Sequence, residues 1–477
     1  MALVQSQVGR TWFQSERDFT AGFDALNRAL TAPLRRRDFH RRLAPLVAAL
    51  GHGHVTLERP VPSLRYCTRF LDSTAHYLPY ALQIADRHVY ITADLSSASP
   101  FSPGTELLTV DGVPTAALID SIEHYLSADG RNTSFKRFQL GTDFRFHEWL
   151  DLIYGPRVTR MATVRRTNGA TASRVVGFTT PREMMTRHVL RTGRAIDTFP
   201  PAVALTMLQP RAALLTVFSF WDGLLPKAQG TFETALTTAF RTIGDSGVTD
   251  LVIDVWRNEG GAGNYPPLLY SFVASRPFDF YGRTIVASDS LSWLQYAPDA
   301  SEDLKAFAVT PQDFIERTAD GLWQLKRKPD ETSLTAPRTD AYSGRLFVLT
   351  DGGSFSAANV FVQGVATAWA LGGRPAVFVG KENGGDSEAG KVSGGVQQTL
   401  TLPHSGERLT LALTTVVPRL GSVPVALAPV PDVRVLPNGL DIAAGGDPVL
   451  ERVRVMIDAT RQADARATRQ RGVSPRR

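Results

Sequence analysis

The stretch Asp250-Leu251-Val252-Ile253-Asp254-Val255-Trp256-Arg257-Asn258-Glu259-Gly260-Gly261 decides the fold. Residues 250–255 are a short apolar run, which reads as a buried strand, and a glycine loop follows them. Ahead of it, Ala212–Phe218 reads as an apolar strand and Phe232–Ile243 as an amphipathic helix. Behind it come a second buried strand, Leu346–Leu349, a turn at Asp351–Ser354, and a helix over Ala357–Leu371 closed by Gly372–Gly373. Ala376–Val379 is the next strand. Strands that alternate with crossover helices imply an α/β fold with a largely parallel sheet and helices packed on it.

The flanking segments read differently. Phe19, Phe23, Leu26 and Leu30, then Leu43, Leu46, Val47 and Leu50, recur at helical spacing, with Ser15 and Asp18 as candidate caps. Gly51 and Gly53 break that pattern around His52 and His54. Residues 77–130 read as a small β-rich unit with a short helix at Ala116–Leu126. Residues 131–210 are mixed, with a hairpin around Asn168–Gly169, and 274–340 read as a long polar insertion. There is no internal repeat. The expected division is therefore 1–75, 76–130, 131–210 and an α/β core over 211–460, with 461–477 a basic tail expected to be frayed and solvated.

Composition removes several function classes. With 43% hydrophobic residues in 477, the chain can bury a large core and is not a disordered or fibrous sequence. The single cysteine, Cys67, excludes an internal disulfide framework and any multi-thiolate metal site. No apolar run reaches the roughly 18 residues of a membrane span. The net charge of +6 invites a nucleic-acid reading, but six arginines against Asp464 within 461–477 account for +5 of it. The remainder is near neutral, so no nucleic-acid partner is expected. The first ten residues, MALVQSQVGR, lack the charged start, apolar stretch and cleavage site of a signal peptide.

In parallel α/β sheets, sites form beyond the carboxyl ends of the strands. Two such loops carry unusual residues, 254–261 and 350–359. Ser356 stands where a turn becomes a helix, a place that exposes a hydroxyl beside free N–H groups. A nucleophilic serine needs this arrangement, because the N–H of Ala357 can bind the oxyanion of a tetrahedral intermediate. The plainer alternative makes Ser354 or Ser356 an N-cap. Gly260 and Gly261 let backbone amides approach a ligand and offer a second oxyanion donor, or else form an ordinary turn. Gly261-x-Gly263 lacks the third glycine of a dinucleotide loop. His54, with His52 beside it, is the candidate general base. No further cluster accompanies this His-x-His pair to bind a metal.

Together these segments resemble the S41 serine peptidases, which include C-terminal processing proteases, tricorn-type core proteases and chlamydial-protease-like enzymes. Gly53-His54-Val55-Thr56-Leu57 is similar to the family's Gly-His-Thr segment. Residues 101–114, from Phe101 to Pro114, resemble its PDZ-like stretch. Leu251 to Gly261 resembles its strand and Asn-x-Gly-Gly loop, and Leu349 to Ala358 its serine segment, with the nucleophile at Ser356. Pro431-Asp432-Val433 is similar to a motif near its C-terminus.

The resemblance implies a ClpP/crotonase-like α/β core, a small PDZ-like β-rich domain, a peptide or protein substrate, and no metal or cofactor. It also implies one of two catalytic arrangements. A Ser–Lys dyad would need Lys381 or Lys391, and neither stands in the family's lysine context. A Ser–His–Glu triad fits His54, with Glu407, 51 residues after Ser356, as the favoured acid over Glu382 and Glu388. Asn359 replaces the usual glutamate after Ser-Ala-Ala, Trp256–Arg257 shifts the usual arginine by one place, and Glu259 would oppose an oxyanion if it pointed inward. Two other readings stay open, an inactive peptide-binding relative and a crotonase-type enzyme acting on thioesters. Members of the family are commonly exported.

Overall fold

The apolar runs around Asp254 assemble into one sheet. A computed structural model describes residues 15–472 except 61–63, 67–68, 72–73, 97–99, 143, 194–198, 280, 287, 327–334, 371, 386–391, 421–422 and 425–429. The central sheet has six strands in the order Val203–Gln209, Ala212–Val217, Asp250–Asp254, Arg345–Thr350, Ala376–Gly380 and Val433–Arg434. The first pair is antiparallel and the other four pairings are parallel. Leu251, Val252 and Ile253 are fully buried, as a sheet covered on both faces requires. Helices Phe232–Asp245 and Ala357–Ala370 share one core with one face. Val449, Val453 and Ile457 of helix Pro448–Gly472 cover the other.

The C-terminal expectation needs correction. Residues 461–472 continue helix Pro448–Gly472 and are not a frayed tail. Arg461 donates from Nε and Nη2 to Asp250 Oδ2 at 3.0 and 2.8 Å, which fastens the helix to the start of a central strand. The basic residues that looked solvated in sequence include the one that anchors the element.

The β-rich unit also extends past its expected limit. Strands Tyr80–Ala85, His88–Asp94 and Thr105–Val110 continue into the hairpin Thr159–Arg165 and Thr171–Gly177. Thr105–Val110 pairs with Thr159–Arg165, so a boundary at 130 would cut a sheet in two. Helices Thr115–Glu123 and Arg145–Tyr154 close its core through Leu118, Ile119, Ile122 and Leu150.

The described residues of the 274–340 insertion form strands and short helices. Strand Tyr281–Val286 pairs with Thr414–Leu420 and Trp323–Leu325, and Trp293 is fully buried. Its core is shared with the N-terminal helices Glu16–Ala29 and Arg36–Ala48 through Phe19, Phe23, Leu43 and Val47. Ser15 caps the first helix by accepting from Asp18 N–H at 3.0 Å. Strand Thr56–Glu58 then adds to Arg408–Ala412. This docking carries residues 51–55 across to the carboxyl edge of the central sheet.

Candidate active site

Ser356 begins from a strained backbone. Its φ is +55°, a left-handed conformation that costs a non-glycine residue about 1–2 kcal/mol, just before helix Ala357–Ala370. The turn holds it there. Ser354 Oγ donates to Val255 C=O at 2.8 Å and accepts from Asp351 N–H at 3.1 Å, so Ser354 braces the loop and does not cap the helix. Asp351 Oδ1 accepts from Gly353 N–H at 2.9 Å and from Arg257 N–H at 2.8 Å. Phe355 N–H donates to Asn258 C=O at 3.1 Å. The two loops singled out in sequence are thus one hydrogen-bonded unit.

His54 reaches this unit from 302 residues away. Its Nε2 lies 2.9 Å from Ser356 Oγ. The imidazole stacks on Phe355 at 4.6 Å between centroids, and Phe355 stacks on Phe135 at 4.0 Å. Gly53 N–H donates to Asp129 Oδ1 at 2.8 Å, which fixes the chain next to His54. A Cβ at Gly53 would lie 2.5 Å from the Phe355 ring, so only glycine allows this approach. Burial, with His52 adding repulsion, lowers the His54 pKa from 6.5 to about 3. The imidazole is therefore neutral and can accept a proton.

The amides divide. Gly260 N–H donates to Asn258 Oδ1 at 2.9 Å and is committed, so it is not a second oxyanion donor. Among the described residues, the N–H groups of Gly261 and Ala357 make no hydrogen bond to the protein. Gly260 (φ +101°) packs so closely that an added Cβ would lie 2.7 Å from Ser356 Cβ and 2.9 Å from Ala357 N. Asn258 sets this spacing. It is fully buried, and its Nδ2 donates to Val217 C=O at 2.7 Å. Glu259 is exposed.

Other expected residues lie elsewhere. Glu407 is fully buried, with Oε1 3.3 Å from His40 Nδ1 and no hydrogen bond to His54. Its position before strand Arg408–Ala412 faces the N-terminal helix, so the triad-acid assignment to Glu407 is not supported by geometry. Lys381 Nζ lies 5.2 Å from the Trp256 ring centroid and makes no contact with Ser356 Oγ. Lys391 and Glu388 lie outside the described residues. No group of three His, Cys, Asp or Glu that could hold a metal occurs among the described residues.

Sequence reading missed Phe355, Phe135 and Asp129 as parts of this site. Phe355 adjoins the serine and was open to notice. Phe135 and Asp129 come from a stretch with no motif of its own.

Residues 211–417 match the sequence model described as peptidase family S41. No curated protein matches the chain. Among solved structures, mature CPAF is similar at 15% identity and a TM-score of 0.60, over 93% of this chain and 92% of that one. Mature CPAF complexed with lactacystin is similar at 16% identity and a TM-score of 0.62, over 95% and 96%. At these identities the likeness is one of fold, and it spans nearly the whole of both chains.

Proposed function

We propose that this chain, which belongs to peptidase family S41 through residues 211–417, cleaves peptide bonds with Ser356 as nucleophile and His54 as general base. It is a serine peptidase, a hydrolase, and its substrate is a peptide or protein. The single observation that carries the residue roles is the 2.9 Å approach of His54 Nε2 to Ser356 Oγ.

The proposed steps use these neighbouring groups in turn. Neutral His54 takes the hydroxyl proton on Nε2 as Ser356 Oγ attacks the peptide carbonyl. The oxyanion settles toward the free amides of Ala357 and Gly261, where one such donor is worth about 10²–10³ in rate. His54 then gives its proton to the leaving amine, and water hydrolyses the acyl-enzyme. Ring stacking on Phe355 and the Gly53–Asp129 hydrogen bond orient the base. Glu407 has no part in this scheme. A dyad through Lys381 is disfavoured because Lys381 Nζ sits over the Trp256 ring.

A fluorophosphonate probe tests the reading. The wild-type protein should be labelled, and Ser356→Ala should not. His54→Ala should lose labelling too, whereas retained labelling would shift the base to a lysine. Peptide binding with no labelling of the wild type would make the chain a binding protein.

A further inference from the structure

A cleft of about 570 Å³ lies between the Tyr80–Ala85 sheet, with its adjoining helices, and the carboxyl edge of the central sheet. Trp256 and Arg257 line it from the loop that carries Gly261. Asp351 lines it from the loop that carries Ser356, and Lys381 from the end of strand Ala376–Gly380. Phe138 and Phe218 supply apolar wall. The cleft touches the serine loop directly. A Cβ on Gly353, three residues before Ser356, would lie 2.9 Å from Arg257 Cα and 2.5 Å from Phe138.

The charges in this cleft are unevenly used. Arg137 is engaged, donating to Asp86 and, from Nε, to Glu123 Oε1 at 2.7 Å. Asp351 Oδ1 already accepts from two backbone N–H groups. Arg257 and Lys381 form no ion pair with any described residue, and Lys381 Nζ lies 5.2 Å from the Trp256 ring centroid, with Asp351 and then Asp86 as its favourable charges. Burial lowers the Lys381 pKa, which marks an ammonium held where its charge is poorly compensated. Two cations facing an apolar-walled space suit an incoming carboxylate, most of all one that arrives with an apolar neighbour.

We propose that this cleft binds a carboxylate of the peptide substrate between Arg257 and Lys381, and so selects which bond reaches Ser356. This rests on the peptidase reading above. The carboxylate has two sources, an acidic side chain or the free C-terminus of the peptide, and the chemistry of the cleft serves either.

Equilibrium binding to the full-length Ser356→Ala protein tests the proposal without turnover. Three degenerate octapeptide pools serve as probes: one Glu per peptide with an amidated C-terminus, one Gln with an amidated C-terminus, and one Gln with a free C-terminus. The Glu pool or the free-acid pool should bind about tenfold more tightly than the amidated Gln pool, the scale of one charge-assisted hydrogen bond. Whichever pool wins identifies the source. The advantage should shrink with added salt and fall to about onefold in Arg257→Gln/Lys381→Gln. Equal binding of all three pools would overturn the proposal, as would an advantage that survives the double substitution. Fluorophosphonate labelling of the wild type reports separately on the serine, so failure of the cleft and failure of the peptidase reading are told apart.

Discussion

The ring of Phe355 lies against the imidazole of His54, with centroids 4.6 Å and planes 28° apart. The residue before Ser356 thus holds the His54 ring in place, and Phe135 backs the stack at 4.0 Å. Phe355 is buried, so Phe355→Ala leaves a cavity and should cost about 3–5 kcal/mol in a denaturant titration. It should also slow probe labelling at least tenfold, with peptide KM little changed. A labelling rate equal to wild type would mean that His54 is oriented by other contacts.

Asn258 joins the two loops through three hydrogen bonds. Its side chain holds Gly260 N–H and Val217 C=O, and its carbonyl takes Phe355 N–H. In Asn258→Ala, two buried groups lose their partners, at about 1–3 kcal/mol each. The Gly261 amide then has no fixed position, and kcat should fall about 10–10³-fold while KM moves little. Stability loss with an unchanged kcat would show that the loop keeps its shape without the side chain.

Ser356 pays for its position with backbone strain at φ +55°. Glycine adopts this conformation freely and alanine does not. Both Ser356→Gly and Ser356→Ala should abolish probe labelling. The glycine variant should nevertheless be about 1 kcal/mol more stable than the alanine variant. Equal melting temperatures would argue that the strain is absent in solution.

Buried histidines and a buried aspartate give stability opposite slopes with pH. His54 takes a proton near 6.5 when unfolded but only near 3 when folded. Its contribution is complete above 6.5 and is lost as pH falls from there toward 3. His147, buried against Tyr80 C=O and lowered to about 4, acts in the same direction. Asp254, raised to about 7 by burial with Asp447 and Asp351 nearby, does the reverse. Its contribution is complete below 3.8 and is lost as pH rises toward 7. Urea midpoints between pH 4 and 7 should therefore show a smaller alkaline loss in Asp254→Asn than in the wild type. Probe labelling should keep its rate well below pH 6.5, because His54 stays neutral there.

Periodicity placed the central sheet because residues buried on both faces are mostly apolar in a run, as in 251–253 and 346–349. The serine, the histidine and the glycine loop were legible because their chemistry restricts residue type. Glu407 was not. Spacing along the chain does not say which histidine a glutamate meets, and the fold sets it against His40. Gly260 misled for a similar reason, since a glycine shows that an amide can approach but not whether Asn258 already holds it. The hairpin at 159–177 was visible, while its partner strand across 50 residues was not. Long-range pairing leaves little trace in local pattern.

The helix read as a tail offers the last test. Asp250 is fully buried, accepts from Arg345 Nε at 2.5 Å and takes both donors of Arg461 on Oδ2. Asp250→Asn leaves two arginines facing a neutral amide and should destabilise the protein by about 2–4 kcal/mol. Deleting 462–477 removes the Arg345–Asp464 pair, whose aspartate is 68% exposed, and should cost at most about 1 kcal/mol. That deletion also removes most of the basic cluster while keeping Arg461 and the apolar anchors Val449, Val453 and Ile457. A large loss on deletion, with Asp250→Asn silent, would place the holding force in the basic end of the helix instead of in the buried carboxylate.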